Sequence, residues 1–471
     1  MMWTLSATAA RIGGQVAGAD VRFDAVGTDS SGDCTGQLFV ALRGARFDAH
    51  GFVAQAARKG AAAALVDHRV DADLPQLVVD DTRLGLGRLA AAWRERVTGR
   101  VIAVTGSNGK TTCKEMIAAV LGQVGSVHAT GGNLNNDIGL PLTLLAARDE
   151  DFLVLEMGAN HAGEIAYLSN IGRPDVAVIT NAGSAHLEGF GSLEGVARAK
   201  GEIAQGLPPD GTFIVPSDSP WLDLWRDLAA GRRVLTCGLD AMADIRAEVD
   251  GIRSVWDESG FHTDFKVRGG GSELALTLGL AGTHNIRNAL VAVAVARVLG
   301  VEPDAIRHGL AGLKPVPGRL CPRLCPGGLR LIDDSYNANP DSVRAAIEVL
   351  VELPGRRWLV LGDLAELGSD AAALHRGLGE TARAAGVDVL YTVGALSAAT
   401  AEVFGPGGKH FQDRASLISA LRGRLEPHDL VLVKGSRAAA MEQVADALCG
   451  TEVSQKPLSH QLSRGSYAYI Q

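Results

Sequence analysis

Between residues 101 and 112 the chain reads Val-Ile-Ala-Val-Thr-Gly-Ser-Asn-Gly-Lys-Thr-Thr, and this stretch leaves few ways to fold. The β-branched and apolar run from Val101 to Val104 reads as a buried strand. Gly106, Ser107, Asn108 and Gly109 then form a loop, and Lys110, Thr111 and Thr112 open a helical pattern carried by Met116, Ile117, Val120 and Leu121. A strand, a glycine loop and a helix N-terminus together make a holder for polyphosphate. The glycines let the backbone wrap close, so that unpaired N–H groups and the positive helix end face the phosphate oxygens. In that arrangement Lys110 reaches the β- and γ-phosphates and the Thr111 hydroxyl ligates Mg²⁺. The strict form of the pattern asks for a glycine where this chain has Val104, so the loop is a variant that begins at Gly106. A plain glycine turn with a solvated lysine is the alternative. The register of strand, Gly-x-x-Gly-Lys-Thr and helix favours nucleotide binding over it.

A chain of 471 residues has room for about three domains of ~150 residues each. With 46% hydrophobic and 21% charged residues, large cores can form. The net charge of −8 argues against a nucleic-acid partner, so an anionic nucleotide has to be held by local loops and Mg²⁺. Cys34, Cys113, Cys237, Cys321, Cys325 and Cys449 are scattered. Cys321 and Cys325 lack a second pair at zinc spacing, and unpaired thiols fit a reducing cytoplasm. No signal peptide is evident at the N-terminus, and no run of ~18 uncharged apolar residues predicts membrane insertion.

The pattern along the chain predicts an α/β fold. Residues 1–98 form a first domain, 99–314 a central domain with a P-loop-type mononucleotide-binding sheet, 315–450 a C-terminal doubly wound Rossmann-like domain, and 451–471 a polar tail. In the first domain, 36–42, 62–66 and 76–79 read as strands, 52–59 and 84–97 as helices, and 43–51 as an irregular loop. Thr28-Asp29-Ser30-Ser31 has the composition of a turn and could also meet a sugar or phosphate. In the central domain, Asn133, Asn135, Asn136 and Asp137 lie among glycines and offer amides to a polar ligand. The strand 152–155 ends at Glu156, where a second Mg²⁺ ligand belongs in a sheet of this kind. The strand 176–181 leads to His186, at the same sheet edge as Lys110 and Glu156. Asn285 and Asn288, three apart on a helix, suit hydrogen bonds to a base or ribose, and equally a helix cap. Arg319 follows a stiff Pro-Val-Pro-Gly connector and could reach a phosphate or stack on a base. From there strands at 329–333, 358–363, 388–393 and 430–434 alternate with helices, without a second Gly-Lys-Thr loop.

Several long motifs in order, from about Thr28 to Gly450, are similar to the Mur ligases, ATP-dependent amide-forming enzymes of peptidoglycan synthesis. The shared marks are Thr-Gly-Ser-Asn-Gly-Lys-Thr-Thr (105–112), Gly-Thr-His-Asn-Ile-Arg-Asn (282–288) and Pro-Gly-Arg (317–319). Five further stretches (132–141, 156–160, 333–340, 362–368 and 434–442) resemble the branch that adds D-alanyl-D-alanine to UDP-N-acetylmuramoyl-tripeptide. The resemblance implies a first domain that holds the UDP end, a second that holds ATP, and a third that brings the dipeptide and closes over both.

It also implies roles. Gly106 to Thr112 would bind ATP together with Asn285, Asn288, Arg319 and Asp334. Thr111 and Glu156 would hold one Mg²⁺, and His186 and Lys200 a second. Because an ammonium cannot ligate a cation, Lys200 would carry a carbamate made from CO₂. Lys110, His186 and Lys200 would be the catalytic groups, and Ser30, Asn135, Asn136, Asn160 and Asn337 would meet substrate. Two positions depart from the family pattern: Ser31 stands where arginine is usual and Asp137 where glutamate is frequent. The expected setting is the bacterial cytoplasm, and the three-domain scheme needs only one chain, which suits a monomer. The competing readings are a sister amino-acid-adding Mur ligase or a folylpolyglutamate synthase, a non-ligase ATPase, and a binding module with an inactive loop. Intact Lys110, Thr111, Glu156 and His186 argue against the last, and Val104 against a conventional ATPase.

Overall fold

The strand predicted at the head of the glycine loop lies inside the largest sheet of the chain. In the computed structural model, which describes residues 3–44, 47–184 and 187–450, Arg100–Thr105 is flanked by Phe152–Glu156 and Val176–Ile179, parallel to both. The expected ligand His186 and the tail 451–471 lie outside the described residues. Alternation along this strand divides its side chains between two cores. Val101 and Ala103 join Leu86, Leu89 and Trp93 of the first domain, whereas Ile102 and Val104 pack with the glycine-loop helix and the helix Thr283–Val298. The first and central domains thus share a hydrophobic core. Trp93 Nε1 donates to the Ala147 carbonyl at 3.2 Å and Arg94 Nε to that of Gly172 at 2.8 Å across the same boundary.

Beyond Val176–Ile179 the sheet continues through Thr212–Pro216, Arg233–Gly238 and Ile245–Ala247, all parallel. It then turns antiparallel at Gly260–Gly269, which pairs with both Arg253–Asp257 and Ser272–Leu278. This meander is an addition to the sequence reading, although its signal was present. Phe261, Thr263, Phe265 and Val267 are buried and alternate with His262, Asp264, Lys266 and Arg268.

The first domain holds a five-stranded sheet in which Ala25–Gly27, Gln37–Val40, Ala63–Val66 and Gln76–Val78 run parallel and Gln15–Ala17 antiparallel. The helix expected at 84–97 spans Thr82–Arg94, because Asp81 caps it by accepting the N–H groups of Arg83 and Leu84. The loop after Gln37–Val40 is braced rather than loose. His50 is 5% exposed, its Nδ1 meets Asp48 at 2.5 Å, and its Nε2 accepts the Asp67 N–H at 3.1 Å.

In the C-terminal sheet, Arg330–Asp334, Leu430–Lys434, Arg357–Gly362, Val389–Val393 and Gly408–Phe411 are parallel neighbours in that order, with Cys321–Leu324 antiparallel at the edge. The chain is therefore α/β, as expected, with three large sheets and a small antiparallel pair of Trp3–Thr4 with Arg22–Phe23 among the described residues. The expectation of unpaired thiols is corrected. Helix Glu442–Cys449 returns beside the edge strand and brings Cys449 within 4.4 Å (Cα–Cα) of Cys325, to which it is joined as a disulfide. No helix among the described residues is long and apolar enough to cross a membrane.

Candidate active site

Parallel pairing aligns the carboxyl ends of three strands, which brings the glycine loop, Glu156 and the segment 180–183 to one edge. That segment braces the loop. Asn181 accepts the Asn108 N–H at 2.9 Å, and the Thr180 hydroxyl donates to the Asn108 carbonyl at 2.6 Å. Two glycines are required by space as well as by conformation. Gly106 has φ +150° and faces the Thr180 hydroxyl, while Gly109 has φ +80°, and a Cβ there would lie 2.7 Å from Asn288 Oδ1. Asn288 is thus the wall behind the loop. Gly109→Ala is expected to cost about 1–2 kcal/mol of stability from the left-handed backbone alone. The displaced loop should also lose at least about tenfold in nucleotide affinity, a change of roughly 1.4 kcal/mol. Thermal melting and nucleotide-binding calorimetry check the two parts separately.

Lys110 curls back into the loop and donates to the Gly106 carbonyl at 2.7 Å and that of Ser107 at 3.3 Å. Burial pushes its pKa down, the Glu156 carboxylate opposes this, and the Arg319 charge adds to the fall. Glu156 is 2% exposed. One of its oxygens accepts the Asn135 side-chain amide at 2.8 Å, and the other has no partner among the described residues. The Thr111 hydroxyl accepts from Arg319 at 3.1 Å, and the Arg319 guanidinium lies 4.3 Å from the centre of the Tyr336 ring.

A cleft of about 1230 Å³ opens between the central and C-terminal domains. From the sequence-predicted set it is lined by Ser107 to Thr112, Asn135, Asn136, Glu156 and Asn160 on one side, with Asn285 and Asn288 at its base. Arg319, Asp334 and Asn337 face them. Gly106 contributes through its carbonyl on Lys110. The Asn136 side chain also accepts the Gly139 N–H at 2.8 Å, at the start of the next helix. Ser30 stands apart from the cleft lining, buried in the first domain with its carbonyl accepting from Gln55. Both polar groups of Ser31 are turned onto Asp29.

Lys200 ends the helix Leu193–Gly201 and is 2% exposed, its Nζ 5.2 Å from the centre of the Phe190 ring. It has no hydrogen-bond partner or ion pair among the described residues. Its pKa falls to about 7, first through burial and then through the Lys110 charge, against the pull of Glu164 and Glu202. His284 is kept neutral, its pKa lowered to about 4 by burial and by Lys434.

Three contributors carried no role in the sequence reading. Lys114, buried on the loop helix, donates to the Thr130 carbonyl at 2.6 Å and ties down the start of the asparagine segment. Asn339 donates to Asn108 Oδ1 at 2.7 Å, and Asp341 accepts the Ser184 N–H at 2.7 Å, so that the C-terminal domain touches the glycine loop. Asn339 caps the helix Pro340–Glu352 with Ser342 in a capping box, and Asn-Pro-Asp-Ser was a readable helix start. Its second partner, 231 positions away, was not readable.

Family models match along the chain: the Mur ligase family catalytic domain over residues 22–94, the Mur ligase middle domain over 104–296, and the Mur ligase glutamate ligase domain over 318–437. The UDP-N-acetylmuramoyl-tripeptide–D-alanyl-D-alanine ligase of Escherichia coli is 47% identical, over 94% of this chain and 98% of its own. A crystal structure of MurF from Acinetobacter baumannii superposes with a TM-score of 0.89 at 37% identity, covering 96% of this chain and 99% of that one. MurF ligase from Thermotoga maritima in complex with ADP superposes with a TM-score of 0.81 at 33% identity, covering 91% and 97%.

Proposed function

The chain belongs to the Mur ligase family, and from that premise we infer that its cleft joins a UDP-linked peptide to a dipeptide using ATP. It is an ATP-dependent ligase that adds D-alanyl-D-alanine to UDP-N-acetylmuramoyl-tripeptide in peptidoglycan synthesis. The observation that carries this reading is full-length likeness to ligases of that name together with a cleft that sets a phosphate loop against a second domain.

A carboxylate is a poor acyl donor because its leaving group would be oxide. Attack of a tripeptide carboxylate oxygen on the γ-phosphorus forms an acyl phosphate and releases ADP. The dipeptide amine then attacks the acyl carbon, loses a proton, and expels phosphate. Both steps crowd negative charge, and Lys110 and the loop N–H groups are placed to offset it. In this reading the first domain holds the UDP end and Ser30 lies on that side, Asn285, Asn288, Arg319 and Asp334 hold the nucleotide, and Asn135, Asn136, Asn160 and Asn337 meet the peptide substrates. Closure of the third domain excludes water, which would otherwise hydrolyse the acyl phosphate.

The donors suit Mg²⁺: the unpartnered buried oxygen of Glu156 and the hydroxyl of Thr111 are hard oxygen ligands beside the phosphate loop. Bound there, Mg²⁺ offsets the charge of the triphosphate. A second ion would use His186 and a carbamate on Lys200. The support for that carbamate is a buried amine with a pKa near 7, since the neutral amine is the form that attacks CO₂. One chain supplies every group named, which supports a monomer as the working unit, acting in the bacterial cytoplasm where nucleotide-linked precursors are made.

The Lys200 reading has a pH consequence. Its pKa is lowered from 10.5 to about 7, so between these values the unfolded chain holds more protons than the folded one. In CO₂-free buffer the penalty for the buried charge is full below pH 7, and stability from this group rises as pH climbs from 7 toward 10.5. Lys200→Met should flatten that slope. With labelled bicarbonate, a carbamate carbon resonance should be present in the parent chain and missing from the variant. An identical spectrum for the two would remove Lys200 from the metal set.

The test of the function is phosphate release from ATP with UDP-N-acetylmuramoyl-tripeptide, supplied with D-alanyl-D-alanine, with single amino acids, or with folate and glutamate replacing both substrates, and product mass as the readout. Joined product with the dipeptide alone is expected. Product with a single amino acid would make the chain a sister ligase, and hydrolysis without any joined product would overturn the ligase reading.

A further inference from the structure

We propose that Lys434 is a positioning residue that couples the nucleotide side of the cleft to the acceptor side. Its side chain is 2% exposed, and its ammonium donates to Asp334 Oδ2 at 2.6 Å and to the main-chain carbonyl of Asn337 at 3.0 Å. The two acceptors serve different halves of the reaction, and in this respect the inference rests on the ligase reading of the cleft. On the nucleotide side, the other oxygen of Asp334 accepts the Leu320 N–H at 3.1 Å. The adjoining residue Arg319 donates to the Thr111 hydroxyl of the loop helix. On the acceptor side, the Asn337 side-chain oxygen accepts the N–H groups of Ala338 at 2.9 Å and Arg437 at 3.3 Å, which holds the turn in shape.

Strand pairing explains how one ammonium reaches both. Arg330–Asp334 and Leu430–Lys434 are parallel neighbours with Asp334 opposite Lys434, so both side chains emerge at the same carboxyl end, beside the turn that carries Asn337. A buried ion pair is weak evidence of net stability, because desolvation offsets the attraction. Placed at the wall of a cleft and shared between two segments, it has a geometric use. An ammonium is a compact donor with three protons that can hold oxygens from different directions, whereas a guanidinium is a larger fork whose donors all lie in one plane. A shift of Asp334 is therefore transmitted through Lys434 to Asn337.

The test uses the full chain with ATP, UDP-N-acetylmuramoyl-tripeptide and D-alanyl-D-alanine, comparing the parent, Lys434→Met, Asp334→Asn and the double variant, with thermal melting alongside. Each single variant is expected to lower kcat about 100-fold, the scale of a misplacement of about 1 Å. Each should also raise the KM for the dipeptide, Asp334→Asn included, although that side chain lies on the nucleotide side. The double variant should be no worse than the poorer single one. Losses that multiply in the double variant, or a dipeptide KM unchanged in Asp334→Asn, would overturn the proposal. If Lys434→Met melts too low to assay, Lys434→Arg carries the question. A folded Lys434→Arg protein with raised KM for both ATP and dipeptide supports positioning, and parental constants would reduce Lys434 to a charge. Absence of joined product from the parent chain is a separate result, and it would overturn the ligase reading itself.

Discussion

Lys110→Ala is expected to lower product formation by about 1000-fold, the upper end of what one preorganised donor to developing charge contributes. Lys110 Nζ lies against two loop carbonyls, in a site where burial and the Arg319 charge already work against its own charge. A bound triphosphate gives that ammonium the partner its burial calls for, so the interaction strengthens as negative charge gathers on the γ-phosphoryl group. The fold should tolerate the change, because the loop is held independently by Asn181 and Thr180. Single-turnover formation of ADP, measured with the tripeptide present and the dipeptide withheld, separates this effect from the second step. A normal ADP burst with slow joining would move the role of Lys110 to the amine attack.

Glu156→Gln should push activity and stability in opposite directions. The carboxylate is 2% exposed, and one of its oxygens has no partner among the described residues. A neutral amide of the same shape removes a buried charge, and without Mg²⁺ the variant should be more stable by about 1 kcal/mol. It also removes an anionic ligand, and Mg²⁺-dependent turnover should fall at least about 100-fold. Melting with and without Mg²⁺–ATP gives the sharpest readout. The parent chain should gain stability from Mg²⁺–ATP through binding to the folded state, and the variant should gain little. A variant that is stabilised as much as the parent would free Glu156 from the metal role.

Much of the site was legible because its signals are local. A strand that runs into Gly106, a helix that starts at Lys110 and, further along, a carboxylate closing a second buried strand are each written within a few residues of the chain. Parallel pairing then aligns them. The strand at 430–434 was placed without error, and the helix after Asp81 was missed by only a few residues because capping, rather than periodicity, decides its first turn. The meander at 253–278 was missed, although the alternation in its middle strand has the period of a half-buried strand.

What the sequence by itself determined was the elements around the loop and most of those in the outer two domains, the phosphate loop and the family resemblance, because periodicity, turn chemistry and motif spacing act between near neighbours along the chain. The tertiary structure alone decided which distant side chains share a cavity. It placed Asn288 behind Gly109, Asn339 on Asn108, Arg83 against Asp137 at 2.5 Å, Lys434 between Asp334 and Asn337, and Cys449 beside Cys325. These partners are tens to hundreds of positions apart. Their meeting depends on which strands adjoin in a sheet and which faces pack together, and no local pattern records that.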